Sequence, residues 1–235
     1  MHIVKLHATT STNDELKVRF RESGIPHLTT LYSLSQSQGR GNRGTTWQSE
    51  DGKNLTFSVL ISECLTGMTP FDLNQIVSVA MVEWLKKDLN VQAKIKWPND
   101  ILSVQKKLAG ILIENTYIKD EFTHSIVGIG LNVNQDEFIN LPQAISLKNI
   151  TGKLFNLEEL LLQFLFHLDK ALKNREETIN RYLLHLYKYK QHMSFEINGK
   201  KVVAIVKGVT QNGELLLEKE GQLTVYDLKQ VRWIL

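Results

Sequence analysis

A glycine-rich loop carrying two arginines, Gly39-Arg40-Gly41-Asn42-Arg43-Gly44-Thr45-Thr46-Trp47, separates two strand-like runs, and this placement limits the fold more than any other feature of the chain. Residues 28–35 before it are rich in Thr, Leu and Tyr, and residues 54–61 after it are strand-like again. The glycines let the backbone turn tightly around a ligand. Arg40 and Arg43 bring positive charge, and Trp47 closes the loop with a flat apolar ring. Backbone N–H groups beside guanidinium forks make a phosphate cradle. The neighbouring ring suits a ligand that is part phosphate and part flat or apolar body. Gly39, Gly41 and Gly44 also match G-x-G-x-x-G in letters. A dinucleotide-binding fingerprint needs a helix to open after the third glycine. Here residues 45–52 read as loop and lead into a strand, so that fold is excluded. No Walker A pattern occurs. Taken alone, the loop reads equally well as an Arg-Gly RNA-binding segment or a plain surface loop.

The rest of the pattern predicts an α+β fold. Residues 3–6 read as a strand, and a helix opens near Ser11, with Thr12 and Glu15 spaced as a capping box. Thr69-Pro70 is a helix start. Leu73, Ile76, Val77, Ala80, Trp84 and Leu85 then recur at helical spacing to about Asn90. Short strands at 93–96 and 101–104 flank a Pro98-Asn99-Asp100 turn. Residues 108–117 and 122–132 predict a hairpin, and 157–172 and 176–189 predict two helices. Strand, helix and then antiparallel strands suggest a mixed sheet with helices against it. After His192 the pattern changes. Asn198-Gly199 and Asn212-Gly213 are hairpin turns between short strands at 202–209, 214–218, 223–226 and 231–234. This predicts a main domain at 1–190 and a small β-barrel at 191–235, which would be marginal alone and packs on the main domain.

Composition bounds the class. The 235 residues are 42% hydrophobic and 23% charged, enough for a buried core. A net charge of +3 is too small to argue for nucleic acid but suits anionic ligands. Cys64 is the sole cysteine, so no internal disulfide forms and a cytoplasmic location is expected. It follows an apolar strand and is expected to be buried. The N-terminus lacks a signal-peptide core. The richest apolar stretch, 160–168, falls far short of the roughly 20 residues of a membrane helix.

Five segments in order carry a stronger signal: Ser11-Thr12-Asn13, the glycine loop, Lys96-Trp97-Pro98-Asn99-Asp100, Lys107-Leu108-Ala109-Gly110-Ile111-Leu112-Ile113-Glu114, and Val127-Gly128-Ile129-Gly130-Leu131-Asn132-Val133-Asn134. Together they closely resemble the biotin protein ligases, over nearly the whole chain. The resemblance implies a biotin ligase-like fold, related to class II aminoacyl-tRNA synthetases, with an SH3-like C-terminal domain. It also implies a two-step reaction in which ATP activates biotin as biotinyl-5′-AMP. A lysine of a biotin carboxyl carrier protein then takes the acyl group.

By the same resemblance, Lys107 and Arg40 are the catalytic candidates, Lys107 bridging the biotin carboxylate and the α-phosphate. Ser11, Thr12, Asn13, Gln36, Gly39, Arg40, Gly110, Gly128 and Gly130 are assigned to biotin. Glycines at 128 and 130 within a strand independently suggest that something lies against that backbone. Arg40, Arg43, Trp47, Lys96, Asn99, Lys107, Asn132 and Arg232 are assigned to ATP. Asp100 is a candidate Mg²⁺ ligand, although Pro98-Asn99-Asp100 is equally a plain β-turn.

The chain departs from the family pattern at Asn42 and Thr45, where many relatives carry arginine, so a weaker hold on the adenylate is expected. About ten residues precede Ser11, too few for a DNA-recognition helix, so no DNA partner is expected. A monomer or homodimer is compatible with the pattern. The alternatives are a lipoate- or octanoate-protein ligase, whose usual Arg-Arg-x-x-Gly-Gly-type segment is absent, and a non-enzymatic nucleic-acid-binding module.

Overall fold

The computed structural model describes residues 1–234, except for the Arg43 side chain. Strand β1 (Ile3–Thr9) leads into helix α1 (Thr12–Ser23), and β2 (Thr30–Gln36) returns parallel to β1. The glycine loop then passes to β3 (Leu55–Ile61) and helix α2 (Pro70–Leu89). Next come β4 (Lys94–Lys96), β5 (Asp100–Ser103) and the long hairpin of β6 (Lys106–Ile118) and β7 (Glu121–Leu131). Helices α3 (Leu147–Thr151), α4 (Leu157–Lys173), α5 (Arg175–Asn180) and α6 (Tyr182–His185) follow. Five short strands complete the chain: β8 (His192–Ile197), β9 (Lys200–Val209), β10 (Leu215–Lys219), β11 (Gln222–Tyr226) and β12 (Val231–Trp233).

Among the described residues these strands make two sheets. The first has the order β1-β2-β3-β7-β6-β5-β4 and is antiparallel except for β1 with β2. Strand alternation sorts its side chains onto two faces. Phe57, Val59 and Ile61 of β3, Val127, Ile129 and Leu131 of β7, and Ala109 and Ile111 of β6 join the main core with α2 and α4. On the opposite face, Leu31, Leu60 and Ile126 pack under Leu16 of α1. That second apolar patch is small, and the rest of its face carries the site described below.

The helix ends follow the chemistry of their caps. The Thr69 hydroxyl accepts from the Asp72 N–H while Asp72 accepts from the Thr69 N–H, and α2 stops at Asn90 in the left-handed region. Helix α1 starts one residue earlier than expected. Ser11 is its cap and accepts from the Asp14 N–H, so Thr12 lies inside the first turn, free to face the sheet. The single helix expected over 176–189 is two short ones. Beyond α6 the chain leaves helical pairing because the Tyr187 N–H donates to Ile95 O at 2.7 Å, along β4. That pairing buries Leu186 and Tyr187, and it outweighs the helical periodicity. Helix α3, which the sequence pattern did not predict, is held by a reciprocal Ser146–Asn149 cap. Cys64 is exposed rather than buried, because it sits at φ 64° in the turn after β3, outside the sheet. No helix of the described residues is long and apolar enough to cross a membrane.

The second sheet, order β11-β10-β9-β8-β12, is wholly antiparallel, as an SH3-like domain requires. Asn198-Gly199 turns with both residues at positive φ, as expected. This sheet is fastened to the first through Trp97, whose indole N–H donates to Gly213 O at 2.7 Å. The Trp233 indole donates in turn to Trp97 O at 3.1 Å. At Gly213 the backbone has φ 85°, and a Cβ there would lie 2.6 Å from a ring carbon of Phe71. Gly213→Ala therefore meets both left-handed strain and a clash at the contact between the sheets. It should cost about 2–4 kcal/mol, read as a lower urea midpoint at constant m-value. An unchanged midpoint would remove this contact from the stability argument.

Candidate active site

The site is built on the α1 side of the first sheet, from three adjacent strands in register. Thr56 of β3, Gly130 of β7 and Gly110 of β6 form one cross-strand row. Ser58, Gly128 and Leu112 form the next, and Leu60, Ile126 and Glu114 the third. Three of these positions lack a side chain, so the centre of the face is a shallow floor of bare backbone.

The protein's own side chains lie against all three glycines. A Cβ on Gly128 would collide with the Asn13 carboxamide. A Cβ on Gly130 would collide with the Trp47 indole, and one on Gly110 would come within 3.2 Å of both Trp47 Cζ3 and Lys107 Cε. The expectation that something lies close to this backbone is thus met by Asn13 and Trp47. The Trp47 indole N–H is buried and has no hydrogen-bond partner among the described residues. Such a donor costs roughly 1–3 kcal/mol to leave unmade.

Asn13 and Thr12, on the first turn of α1, enter a dense polar network. The Thr12 N–H donates to Gln36 Oε1 at 2.9 Å, and the Thr12 hydroxyl lies 3.2 Å from the same oxygen. Ser58 Oγ lies 2.8 Å from Thr12 Oγ1 and 2.5 Å from Asn13 Oδ1. Asn13 Nδ2 donates to Glu114 Oε2 at 2.6 Å. Ser11, Thr12, Asn13 and Ser58 are all buried, so these bonds satisfy groups that would otherwise be expensive to desolvate. The network borders a cavity of about 50 Å³ that is also lined by Arg40, Asn42, Trp47, Asn99, Lys107, Gly110, Gly128 and Gly130.

A second cavity of about 300 Å³ adjoins the first. Its walls are Asn132, Phe138, Leu141, Pro142 and Ala144, together with Trp47 and Lys107, which line both cavities. The loop forming this wall is pinned to the lysine's own backbone. Lys107 N–H donates to Gln143 O at 2.6 Å, and Ile145 N–H donates to Lys107 O at 3.0 Å. Asn132 is buried, and its Nδ2 points at the carbonyls of Ile145 (3.1 Å) and Lys107 (3.3 Å).

Charge is balanced residue by residue. Lys107 Nζ lies 2.6 Å from Asp100 Oδ1, and Lys96 Nζ lies 3.3 Å from Asp100 Oδ2. Both carboxylate oxygens are thus engaged by ammonium groups, and among the described residues no cluster of three or more His, Cys, Asp or Glu could hold a metal ion. The turn thus aims the Asp100 carboxylate at the two lysines. Arg40 contacts Asp14 at 2.6 Å and Glu114 at 3.3 Å. Burial pushes the Glu114 carboxyl up, but hydrogen bonds from Lys17 and Asn13 outweigh it and hold the group below the usual carboxylate range.

Most of the candidates converge. Ser11, Thr12, Asn13, Gln36, Arg40, Trp47, Asn99, Lys107, Gly110, Gly128 and Gly130 line the first cavity, and Asn132 lines the second. Gly39 lies behind Trp47 and lines the outer side of the loop instead. Lys96 reaches the site only through Asp100. Arg232 lies apart on β12, exposed and paired with Glu196, because the second sheet turns that strand face to solvent. The Arg43 side chain lies outside the described residues. Sequence reasoning missed Ser58, Glu114 and the wall at 138–144. Strand parity with Gly128 and Gly110 would have found the first two, whereas nothing local marks the wall.

Comparison with known proteins identifies the family. The family model described as Biotin/lipoate A/B protein ligase family matches residues 6–132. Biotin--protein ligase 2 of Arabidopsis thaliana is 31% identical over 225 residues, covering 88% of this chain and 66% of that protein. Bifunctional ligase/repressor BirA of Bacillus subtilis is 31% identical over 129 residues, covering 55% of this chain and 40% of that one. The chain thus spans well under two thirds of that relative's length. Biotin protein ligase from Aquifex aeolicus in complex with biotin and ATP superposes with a TM-score of 0.80 at 26% identity, covering 98% of this chain and 97% of that one. Since the family model covers more than half of the 235 residues, the chain belongs to the biotin/lipoate A/B protein ligase family.

Proposed function

We propose that this chain is an ATP-dependent ligase that activates biotin as biotinyl-5′-AMP and transfers it to a lysine of a biotin carboxyl carrier protein in the cytoplasm. The observation that carries this assignment is the position of Lys107 where the two cavities meet. An acid in the polar cavity and a nucleotide base in the apolar one would bring carboxylate and α-phosphate together at its ammonium group.

In the first step a carboxylate oxygen bonds to the α-phosphorus, and the bond to pyrophosphate breaks. Lys107 stabilises the negative charge that builds on both partners. In the second step the carrier amine attacks the acyl carbon, loses a proton, and AMP leaves with the bonding pair. The roles of the other residues follow from chemistry. Ser11, Thr12, Asn13 and Gln36 offer donors and acceptors matched to a ureido head. Gly110, Gly128 and Gly130 let a flat bicycle approach the backbone, and Trp47 and Asn132 flank the adenylate. Asp100 holds the Lys107 and Lys96 ammonium groups in place. The complexes described for the Aquifex relative, with biotin and ATP, support the same pair of substrates here. Mg²⁺ would accompany the nucleotide phosphates rather than a protein cluster.

The first test is exchange of labelled pyrophosphate into ATP, driven by biotin, lipoate or octanoate in parallel. Exchange with biotin alone is expected. Exchange with lipoate or octanoate instead would move the chain to the sister ligases, and no exchange with any acid would overturn the adenylation assignment. Lys107→Ala should keep the fold by circular dichroism and lower exchange by roughly 10²–10³, about 3–4 kcal/mol, the scale for removing one charge stabiliser. Near-normal turnover would sink the role given to Lys107.

A third expectation concerns Asn42, which lines the first cavity where many relatives carry arginine. Adding charge there with Asn42→Arg should slow adenylate dissociation by roughly threefold to tenfold, the range of one partly exposed ion pair. Pre-formed adenylate chased with unlabelled ligand reads this out, and an unchanged rate would reject the argument.

A further inference from the structure

We propose that Glu114 is a positioning residue that couples the acid pocket to the glycine loop, holding Asn13 in one orientation and latching the loop through Arg40. The part of this inference that concerns ligands rests on the ligase assignment above.

Glu114 lies on the same face of β6 as Gly110 and Leu112, four and two residues before it, so it stands in the row of the floor nearest α1. Two elements meet on its carboxylate. From α1, Asn13 Nδ2 donates to Oε2 at 2.6 Å and Lys17 Nζ donates to Oε1 at 2.5 Å. From the glycine loop, the Arg40 guanidinium lies 3.3–3.4 Å from both oxygens. The same guanidinium nitrogen is 2.6 Å from Asp14 Oδ1. The cluster is balanced, with Asp14 and Glu114 facing Lys17 and Arg40, and the Glu114 side chain is only 27% exposed.

Two consequences follow from the chemistry of a carboxylate. It only accepts hydrogen bonds, so it fixes which end of the Asn13 carboxamide faces it. Asn13 Nδ2 must then point to Glu114, and Oδ1 must point to Ser58 and the floor at Gly128. The carboxylate also supplies half of the negative charge that holds Arg40. Without it, Lys17 and Arg40 face a single Asp14, and the loop loses a tether while the surplus positive charge pushes it outward. The glycine loop covers the site, so its closure and the shape of the acid pocket depend on one side chain.

The charge and the hydrogen bond can be separated. Glu114→Gln keeps an acceptor for Asn13 but removes the charge seen by Arg40 and Lys17, whereas Glu114→Ala removes both. Limited trypsin digestion of the ligand-free protein at Arg40–Gly41 reports loop opening without any catalytic readout. Wild-type cleavage should accelerate with salt, as expected for a screened ion pair. Glu114→Gln should be cut roughly threefold to tenfold faster at low salt and respond less steeply to salt, since only the Arg40–Asp14 pair remains to be screened. In the exchange assay, Glu114→Gln should leave the KM for biotin within about twofold and speed adenylate loss, whereas Glu114→Ala should raise that KM as well. A merely structural role would instead lower the melting temperature and shift every parameter together.

Glu114→Gln digestion identical to wild type in rate and salt response would overturn the latch, whatever the exchange assay gives. Should Glu114→Gln fail to fold, Asp14→Asn and the wild-type salt series decide the same question. A wild-type protein that shows no biotin-dependent exchange would reject the ligase assignment, while the digestion would still decide the latch.

Discussion

The absence of side chains at Gly110, Gly128 and Gly130 is the constraint on which the rest of the site depends. These glycines sit in the middle of a sheet whose other face is filled by the core under α2 and α4. Glycine weakens a strand interior, and three in adjacent rows would be a poor choice for stability alone. What they provide is approach. Asn13 comes down onto one glycine and Trp47 onto another, at separations that any Cβ would forbid. The hairpin of β6 and β7 absorbs the cost because its long register continues on both sides of the glycines, with apolar Ile111, Val127 and Ile129 anchoring the opposite face. The strand pair can therefore be bare at its centre and still be fixed.

Charge placement follows from that geometry. A shallow apolar floor holds an anion only if cations stand at its edge, and unpaired cations so close together would repel one another. The structure meets this by setting carboxylates against each pair of cations. Asp100 sits between Lys107 and Lys96, and Glu114, helped by Asp14, sits against Lys17 and Arg40. In each pair the carboxylate belongs to the rigid sheet or helix α1. An arriving anion can compete for Lys107 or Arg40 without having to create their orientation, which is where preorganised charge gains its advantage in catalysis.

The sequence made legible those parts of the molecule whose signals are local. The Thr69-Pro70 cap, the 108–132 hairpin and the Asn198-Gly199 turn are set by residues close in sequence, and the structure has them within a residue or two. The same holds for the clustering of Ser11, Thr12, Asn13, Lys107 and the glycines, because their motifs sit at strand and helix ends. What escaped depends on distant partners. The helix pattern over 176–189 gave way because β4 offered Tyr187 a backbone acceptor some ninety positions earlier. The lysine contacts of Asp100 and the exposed setting of Arg232 likewise depend on strand pairing, β4–β5–β6 for the first and β8–β12 for the second.

The second sheet enters this logic through a short lever. Trp97 is buried, and its indole and carbonyl are both bonded to the C-terminal strands and their turns, at Gly213 and Trp233. Two residues on, Asn99 clamps to Ile111, its Nδ2 donating to the carbonyl at 2.8 Å and its own carbonyl accepting from the Ile111 N–H at 2.9 Å. Asp100 comes next and sets both lysines. The turn that aims the charged residues is therefore gripped at one end by the second sheet and at the other by the floor strand. Among the described residues no side chain of β8–β12 lines either cavity, so the second sheet touches the site only through Trp97 and the turn that follows it.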